Sequence, residues 1–237
     1  MTDLMTEAED IRDLLRDSLS TLLSRQYSFD QRRDAHSSAT HESQTAWAAY
    51  AELGLFALTL PEEHGGIPGK LADIALVADM MGGAMTLEPY VANIVGARLI
   101  AAAGTPAQRE EHLPAIASGE CRAVLAHDRA GQTRADRTST GWRLNGRTTV
   151  IAGGDTADLF IISAQTDDGV ALFLAPADAI TDHAFVAAVV GAAVFVIVTT
   201  VVAVGSGGKG EQDDSGEGDE LVHVWPPVKE TPRRPHP

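Results

Sequence analysis

Apolar residues recur at every third or fourth position through much of the first half of the chain, which is the spacing of one helix face. Between Ile11 and Leu23 this spacing predicts a first helix, and Thr6 with Glu9 forms a capping box that predicts its start. Capping residues, a proline at a first helical position and glycine stops predict four more helices. Their ranges are 43–54, 70–81, 89–103 and 105–118.

Beyond residue 121 the pattern changes to short apolar runs separated by turn residues, which predicts strands at 122–126, 142–144, 147–151, 159–163 and 170–174. Asn145-Gly146 are the preferred residues of a tight type I′ turn, so a hairpin is predicted there. Helices followed by hairpins predict an α+β protein. An all-α domain is expected at residues 1–120 and an incomplete antiparallel β domain at 121–183.

The character of the chain changes again at Ala184, because no residue from there to Gly208 is charged and valine dominates. Three interpretations are open for residues 184–237. The run is long enough for a membrane helix, although lysine and interfacial aromatic residues are sparse around it. Its β-branched segment Val194–Val204 could instead form strands. The interpretation we favour is a reading-frame slip near residue 184, from a pseudogene or a sequence error, followed by a disordered acidic and proline-rich tail.

Composition excludes some functions. The net charge is -15 and the pI is about 4.8, which argues against nucleic acid as a partner because phosphate binding needs clustered Lys and Arg. A single cysteine, Cys121, rules out an internal disulfide framework and is compatible with a reducing cytoplasm. The acidic N-terminus lacks the features of a signal peptide. We therefore expect a cytoplasmic protein, and we consider a membrane partner unfavoured.

A series of motifs, in order along the chain, resembles the acyl-CoA dehydrogenase family over roughly residues 5–183. The motifs are Glu52–Leu55, Leu60–Gly66, Glu88–Tyr90, Gly104–Arg109, Leu113–Glu120 and Gly141–Gly146. Tyr27–Asp30 and Leu125–Asp128 are most similar to the pimeloyl-CoA dehydrogenase small-subunit branch, which implies a dicarboxylyl-CoA substrate.

The resemblance implies a helical domain, a middle β domain and a C-terminal four-helix domain, with FAD between the last two. A carboxylate removes the α-proton of an acyl-CoA as hydride leaves the β-carbon for FAD. Electrons then pass to an acceptor of the electron-transfer flavoprotein type, and the subunits form homo- or hetero-oligomers. The family's catalytic Glu lies in the C-terminal helical domain, to which nothing here aligns. We therefore assign no catalytic base and expect a fragment with little activity alone. A non-catalytic partner subunit or a membrane-anchored interaction protein is the alternative.

The resemblance also assigns contacts with the flavin and the thioester to two segments. They are Leu125, Ala126, His127 and Gln132 in the first, and Val150, Ile151 and Ala152 in the second. Several positions depart from the family. The usual Thr-Glu is Ala126-His127, Gln132 replaces a Ser, and the second segment loses an aromatic cover and a hydroxyl. We predict no metal site.

Overall fold

Helices occupy the N-terminal half of the chain in the computed structural model, which describes residues 2–127, 133–139, 141–181, 188–190, 193–195 and 197–205. In chain order they are α1 (Thr2–Gln26), α2 (Phe29–His36), α3 (Gln44–Glu52), α4 (Leu71–Ala84), α5 (Tyr90–Ala103) and α6 (Pro106–Ala117). A short 3₁₀ turn, Glu62–His64, lies in the loop between α3 and α4.

Two of the predicted helix starts are confirmed by their hydrogen bonds. The Ala46 N–H donates to Ser43 Oγ at 3.1 Å at the start of α3. At α6, the Gln108 N–H donates to Thr105 Oγ1 at 3.3 Å, and the Thr105 N–H donates to Gln108 Oε1 at 2.7 Å. Each bond satisfies a backbone donor that the first helical turn leaves unpaired, which is why these helices begin where the sequence predicts.

Helix α5 and the start of α4 lie within one residue of the prediction, whereas some other helix limits differ from it. Helix α1 begins at Thr2, ahead of Thr6, because no glycine or proline interrupts the residues between them. Helix α2 was not predicted, because no side chain in it is buried and its sequence lacks an apolar period. Helix α4 continues through Gly82 to Ala84, and its C-cap is Met85 in the left-handed region at φ 53°.

The strands follow the helices in the chain and form a curled half-barrel. Its strands are β1 (Ala123–Ala126), β2 (Arg134–Thr138), β3 (Gly141–Thr149), β4 (Leu159–Thr166), β5 (Gly169–Pro176), β6 (Ile180–Thr181), β7 (Ala188–Val190), β8 (Ala193–Phe195) and β9 (Ile197–Gly205). In the main sheet the order is β1-β4-β2-β3-β9-β6, and β5 pairs with β4. Most pairings are antiparallel as expected, whereas β1 runs parallel to β4 and a single pair joins β2 to β4 in parallel.

The predicted hairpin at Asn145-Gly146 is wrong, because both residues lie inside the continuous strand β3. A type I′ turn needs positive φ at both central residues, and neither residue has it. Asn145 pairs with Arg134 on one side and with Val201 on the other. Pairing along both edges keeps β3 extended through a sequence that favours a turn. The second predicted hairpin is confirmed, since β4 and β5 are joined at residues 166–169.

The apolar run after Ala184 is extended wherever the structure describes it. Strand β9 covers 197–205 and pairs along the whole of β3, and β7 and β8 form a separate two-stranded pair. The remainder of 184–237 lies outside the described residues. Within the described part of the chain, no helix is both long and apolar enough to cross a membrane.

Helix α5 packs directly against strand β1 and so joins the two parts. A Cβ at Gly96 would lie 2.2 Å from the Ala123 carbonyl oxygen, so only glycine allows this approach. Beside it the Ala123 N–H donates to Asn93 Oδ1 at 2.9 Å. A shared core of α5, α6 and strand residues covers this junction. It consists of Ala97, Ile100, Leu113, Ile116, Ala123, Leu159, Ile161 and Leu174 with Ala57, Leu60 and Ala117. The two parts therefore form one packed unit at this face.

Candidate functional site

A cavity of about 260 Å³ lies where the helical part meets the turn after β3. Its described lining comes from three places: the segment before α3, the end of α4 with the start of α5, and the turn at 152–155. The residues are Thr40, His41, Glu42, Ala78, Met81, Gly82, Met85, Thr86, Leu87, Glu88, Pro89, Tyr90, Val91, Ala92, Ala152, Gly153 and Asp155. Clefts of this kind between packed parts are common positions for small-molecule sites.

The turn after β3 is held in an unusual backbone conformation at the cavity edge. Val150 has φ 66°, which is rare for a β-branched residue, and Gly153 has φ 71°. A Cβ at Gly153 would meet the Pro89 side chain at 2.5 Å, so glycine is required for the turn to lie against the start of α5. The strained turn places Ala152 on the cavity wall. Strain of this type is often found at binding sites.

Glu88 is a buried carboxylate on the cavity wall and is only 5% exposed. Its Oε1 accepts the Ser43 N–H at 2.8 Å, and its Oε2 accepts the hydroxyls of Tyr27 and Tyr50. Burial and the neighbouring Glu88 carboxylate raise the pKa of Tyr27 and of Tyr50 far above the ordinary tyrosine value. Both phenols therefore stay neutral, and their O–H groups hold the carboxylate in place.

Arg122 is a buried cation between the two parts of the molecule. Its Nη1 lies 2.5 Å from Glu42 Oε1, and its Nη2 donates to Gln44 Oε1 at 3.2 Å. The guanidinium also lies over the Trp47 ring at 4.1 Å from the centroid. On the β side, the Arg122 N–H donates to Asp158 Oδ2 at 2.8 Å. This set of contacts, which we call the Arg122 clasp, fixes the segment before α3 against the start of the sheet.

The Arg122 clasp compensates only part of the cost of burying the charge of Glu42, which lies on the cavity wall. Burial raises the pKa of Glu42 above the ordinary value, and the Arg122 charge and hydrogen bond reduce that rise without removing it. A buried carboxylate costs free energy unless it is paired, which explains why Arg122 is held so closely. Glu42 also borders the cavity, so the clasp connects the cavity wall to the domain junction.

The first predicted site segment lies at the end of β1. Leu125 is half-buried, Ala126 is buried at 3% exposure, and His127 is exposed. His127 Nδ1 lies 2.9 Å from Oγ of Ser163, which is on the neighbouring strand β4. This bond restrains the imidazole ring at the surface. Gln132, the fourth residue of the segment, lies outside the described residues.

The second predicted segment lies beside the first. Val150 is exposed at 54%, Ile151 is buried at 1%, and Ala152 faces the cavity described above. Ile151 and Ala126 also line a second, small cavity of about 20 Å³ inside the half-barrel, together with Leu144 and other residues. The structure thus brings the described residues of both segments together where β1 and β3 end. The small cavity has room for roughly one water molecule, so a larger group would lie on the surface outside it.

The sequence does not mark Glu42 or Arg122 as site residues, and Glu88 stands out only as part of the Glu88–Tyr90 motif. Each is a charged side chain that is at least nine-tenths buried, which is uncommon for these residue types. Their burial depends on partners that are distant in the sequence, such as Glu42 for the Arg122 guanidinium. The one local signal is the position of Arg122 directly before the apolar strand β1.

The helices, the half-barrel and the cavity between them define an α+β fold with a candidate small-molecule site at the junction. Comparison with known protein families shows which family the helical part resembles. Residues 6–120 match the family described as acyl-CoA dehydrogenase, N-terminal domain. The helical part of the chain is therefore similar to the N-terminal domain of that family, and the overall fold matches the acyl-CoA dehydrogenase fold.

Individual curated relatives and solved structures carry names from the same family. Acyl-CoA dehydrogenase FadE12 of Mycobacterium tuberculosis is 28% identical over 195 residues, which cover 76% of this chain and 50% of the relative. The chain therefore spans about half the length of the curated relatives it matches. The solved ChsE4-ChsE5 complex of M. tuberculosis aligns with a TM-score of 0.73, at 23% identity over 84% of this chain and 55% of the other. An acyl-CoA dehydrogenase from Bacillus anthracis, solved with FAD, aligns with a TM-score of 0.62, at 22% identity over 83% and 36%.

Proposed function

We propose that this chain provides the acyl-CoA-binding and flavin-contacting part of an FAD-dependent acyl-CoA dehydrogenase. The observation that carries the proposal is the 260 Å³ cavity, because it is bordered both by the helical domain and by Ala152 of the predicted flavin segment. A flavin bound along the end of the sheet and an acyl chain bound in the cavity would therefore lie next to each other. Met81, Met85 and Ala92 give that cavity an apolar surface suited to a hydrocarbon chain.

The residues present fit one side of a flavin. The exposed Val150 side chain offers apolar surface, and the imidazole of His127 offers a hydrogen-bonding nitrogen that Ser163 does not occupy. When bound, FAD would supply the acceptor for hydride from the acyl chain. This chain's own residues would orient the cofactor and exclude water beside it. Ala152 offers no hydroxyl to the cofactor, so backbone groups of the turn would take that role.

We propose the same partners as those implied by the family: an acyl-CoA thioester, an acceptor of the electron-transfer flavoprotein type, and other dehydrogenase subunits. No catalytic base is assigned to residues 1–183, so turnover by this chain is expected to be low. A cytoplasmic location, the domain limits at 120 and 183, the likeness to the pimeloyl-CoA branch and the reading-frame interpretation of 184–237 stay predictions. A non-catalytic partner subunit is the second candidate, favoured by the missing hydroxyl at Ala152.

The proposal is tested by purifying the full chain and titrating it with FAD and with octanoyl-CoA in a calorimeter. The variant Ala152→Phe inserts an aromatic ring into the cavity wall and is expected to weaken thioester binding at least about tenfold. The matched control Ala107→Phe adds the same ring to an exposed position on α6, away from the cavity lining, and should leave binding unchanged. Thioester binding without FAD binding would favour the partner subunit, and absence of both would refute the proposal.

A further inference from the structure

The charges on the cavity wall restrict the kind of acyl chain that the cavity can take. Its described lining contains three carboxylates, Glu42, Glu88 and Asp155. Among the lining residues that the structure describes, His41 is the one side chain able to carry a positive charge. Arg122 offsets the charge of Glu42 from outside the lining. Glu88 and Asp155 therefore leave the wall with an excess of negative charge.

Glu88 cannot turn away from a ligand, because both its oxygens are fixed. Oε1 accepts the Ser43 N–H and Oε2 accepts the Tyr27 and Tyr50 hydroxyls. These donors are neutral, so they orient the carboxylate without cancelling its charge. The side chain is 5% exposed, so solvent screens that charge much less than it would at the surface.

The rest of the wall is apolar. Ala78, Met81, Met85 and Ala92 provide a surface for methylene groups, and methionine adapts readily to chains of different shape. A neutral chain end would gain from this surface. A second carboxylate would lose part of its hydration and would also lie near Glu88 and Asp155. Placing like charges together in this way is unfavourable.

We infer that the cavity selects acyl-CoA thioesters whose chain ends in an uncharged group and rejects those that end in a second carboxylate. This inference rests on the proposed function and specifies its substrate class. It runs against the dicarboxylyl-CoA substrate implied by the likeness to the pimeloyl-CoA branch. Glu88 and Asp155 become the residues that determine specificity at the chain end.

The test compares binding of octanoyl-CoA with binding of suberyl-CoA, which has the same chain length and a terminal carboxylate. Calorimetry on the full-length chain should show octanoyl-CoA binding tighter by at least about tenfold. Desolvation of the ligand carboxylate alone would also produce some preference, so variants are needed. Glu88→Gln and Asp155→Asn should each reduce the preference by about threefold or more. The control Glu110→Gln removes an equal charge from an exposed position on α6 and should leave it unchanged.

Three outcomes would contradict this inference in different ways. Equal or tighter binding of suberyl-CoA by the unmodified chain overturns the selectivity and leaves the proposed function standing. A preference that both variants retain in full overturns the role of the two carboxylates. Failure to bind either thioester refutes the proposed function and the inference with it. Circular dichroism checks folding, and Asp155→Asn decides the matter should Glu88→Gln unfold.

Discussion

Removal of the Arg122 side chain tests whether the clasp holds the two parts of the molecule together. The substitution Arg122→Met keeps much of the volume and removes the charge. It leaves Glu42 buried without its cation, since the two side chains are 9% and 4% exposed. Breaking a buried ion pair in this way typically costs about 3–5 kcal/mol of unfolding free energy. Loss of the contact with the Trp47 ring adds about 1 kcal/mol. Such a loss is a large fraction of the stability of a typical domain.

Urea denaturation followed by far-ultraviolet circular dichroism measures this loss. The double variant Glu42→Gln/Arg122→Met should recover part of it, because the buried charge is removed with its partner. The loss should also shrink as the pH falls. Burial raises the pKa of Glu42, so the folded state binds a proton more readily than the unfolded state, and without Arg122 this difference grows. Stability then falls as the pH rises above the ordinary carboxyl value and recovers below it.

The control for the clasp is Arg134→Met. Arg134 pairs with Asp136 and Asp167, but it lies at the surface with its side chain 53% exposed. Exposed ion pairs contribute little, so this variant should lose far less stability than Arg122→Met. The reasoning fails if Arg122→Met unfolds within about 1 kcal/mol of the unmodified chain, or if the double variant is less stable than either single variant.

Three further predictions follow from single positions. Gly153→Ala should destabilise the chain in the urea assay and weaken thioester binding, because the added Cβ would clash with Pro89. The control Gly83→Ala in helix α4 adds a Cβ that meets no atom within 4 Å, so it should be neutral or stabilising in the same assay. Burial and the Asp158 charge raise the pKa of Cys121 to about 12, so a thiol reagent should label it slowly at pH 8 and rapidly only after unfolding. Ser163→Ala should release the His127 ring, and ¹⁵N NMR should then show a changed tautomer ratio; an unchanged ratio would contradict the assigned contact.

Local sequence signals predicted the parts of the fold that neighbouring residues decide. Ser43 and Thr105 satisfy backbone donors within three residues, so their helix starts could be placed without knowledge of the rest of the chain. Asn145-Gly146 gave a local signal that failed, because pairing with β2 and β9 on both edges outweighs a two-residue turn preference. Helix α2 gave no signal, because its exposed residues carry no apolar period.

The candidate site, too, could be predicted from the sequence only in part. The resemblance of the sequence predicted Ala126, His127, Ile151 and Ala152, and the tertiary structure brings both segments to one end of the half-barrel. The cavity and its charges could not be predicted, because they depend on contacts between distant positions. Glu88 meets Tyr27 across 61 positions of the chain, and no short motif encodes that distance.

The sequence by itself determined the α+β class, most helix starts and the relation to the acyl-CoA dehydrogenase family, because these follow from short-range patterns of apolar, capping and motif residues. Only the tertiary structure decided the parallel pairing of β1, the burial of Arg122 between Glu42 and Trp47, and the negative wall of the cavity. The physical reason is that the energy of a buried charge is set by the groups that surround it in space. A side chain such as Glu88 therefore acquires its role in this protein only when the fold encloses it.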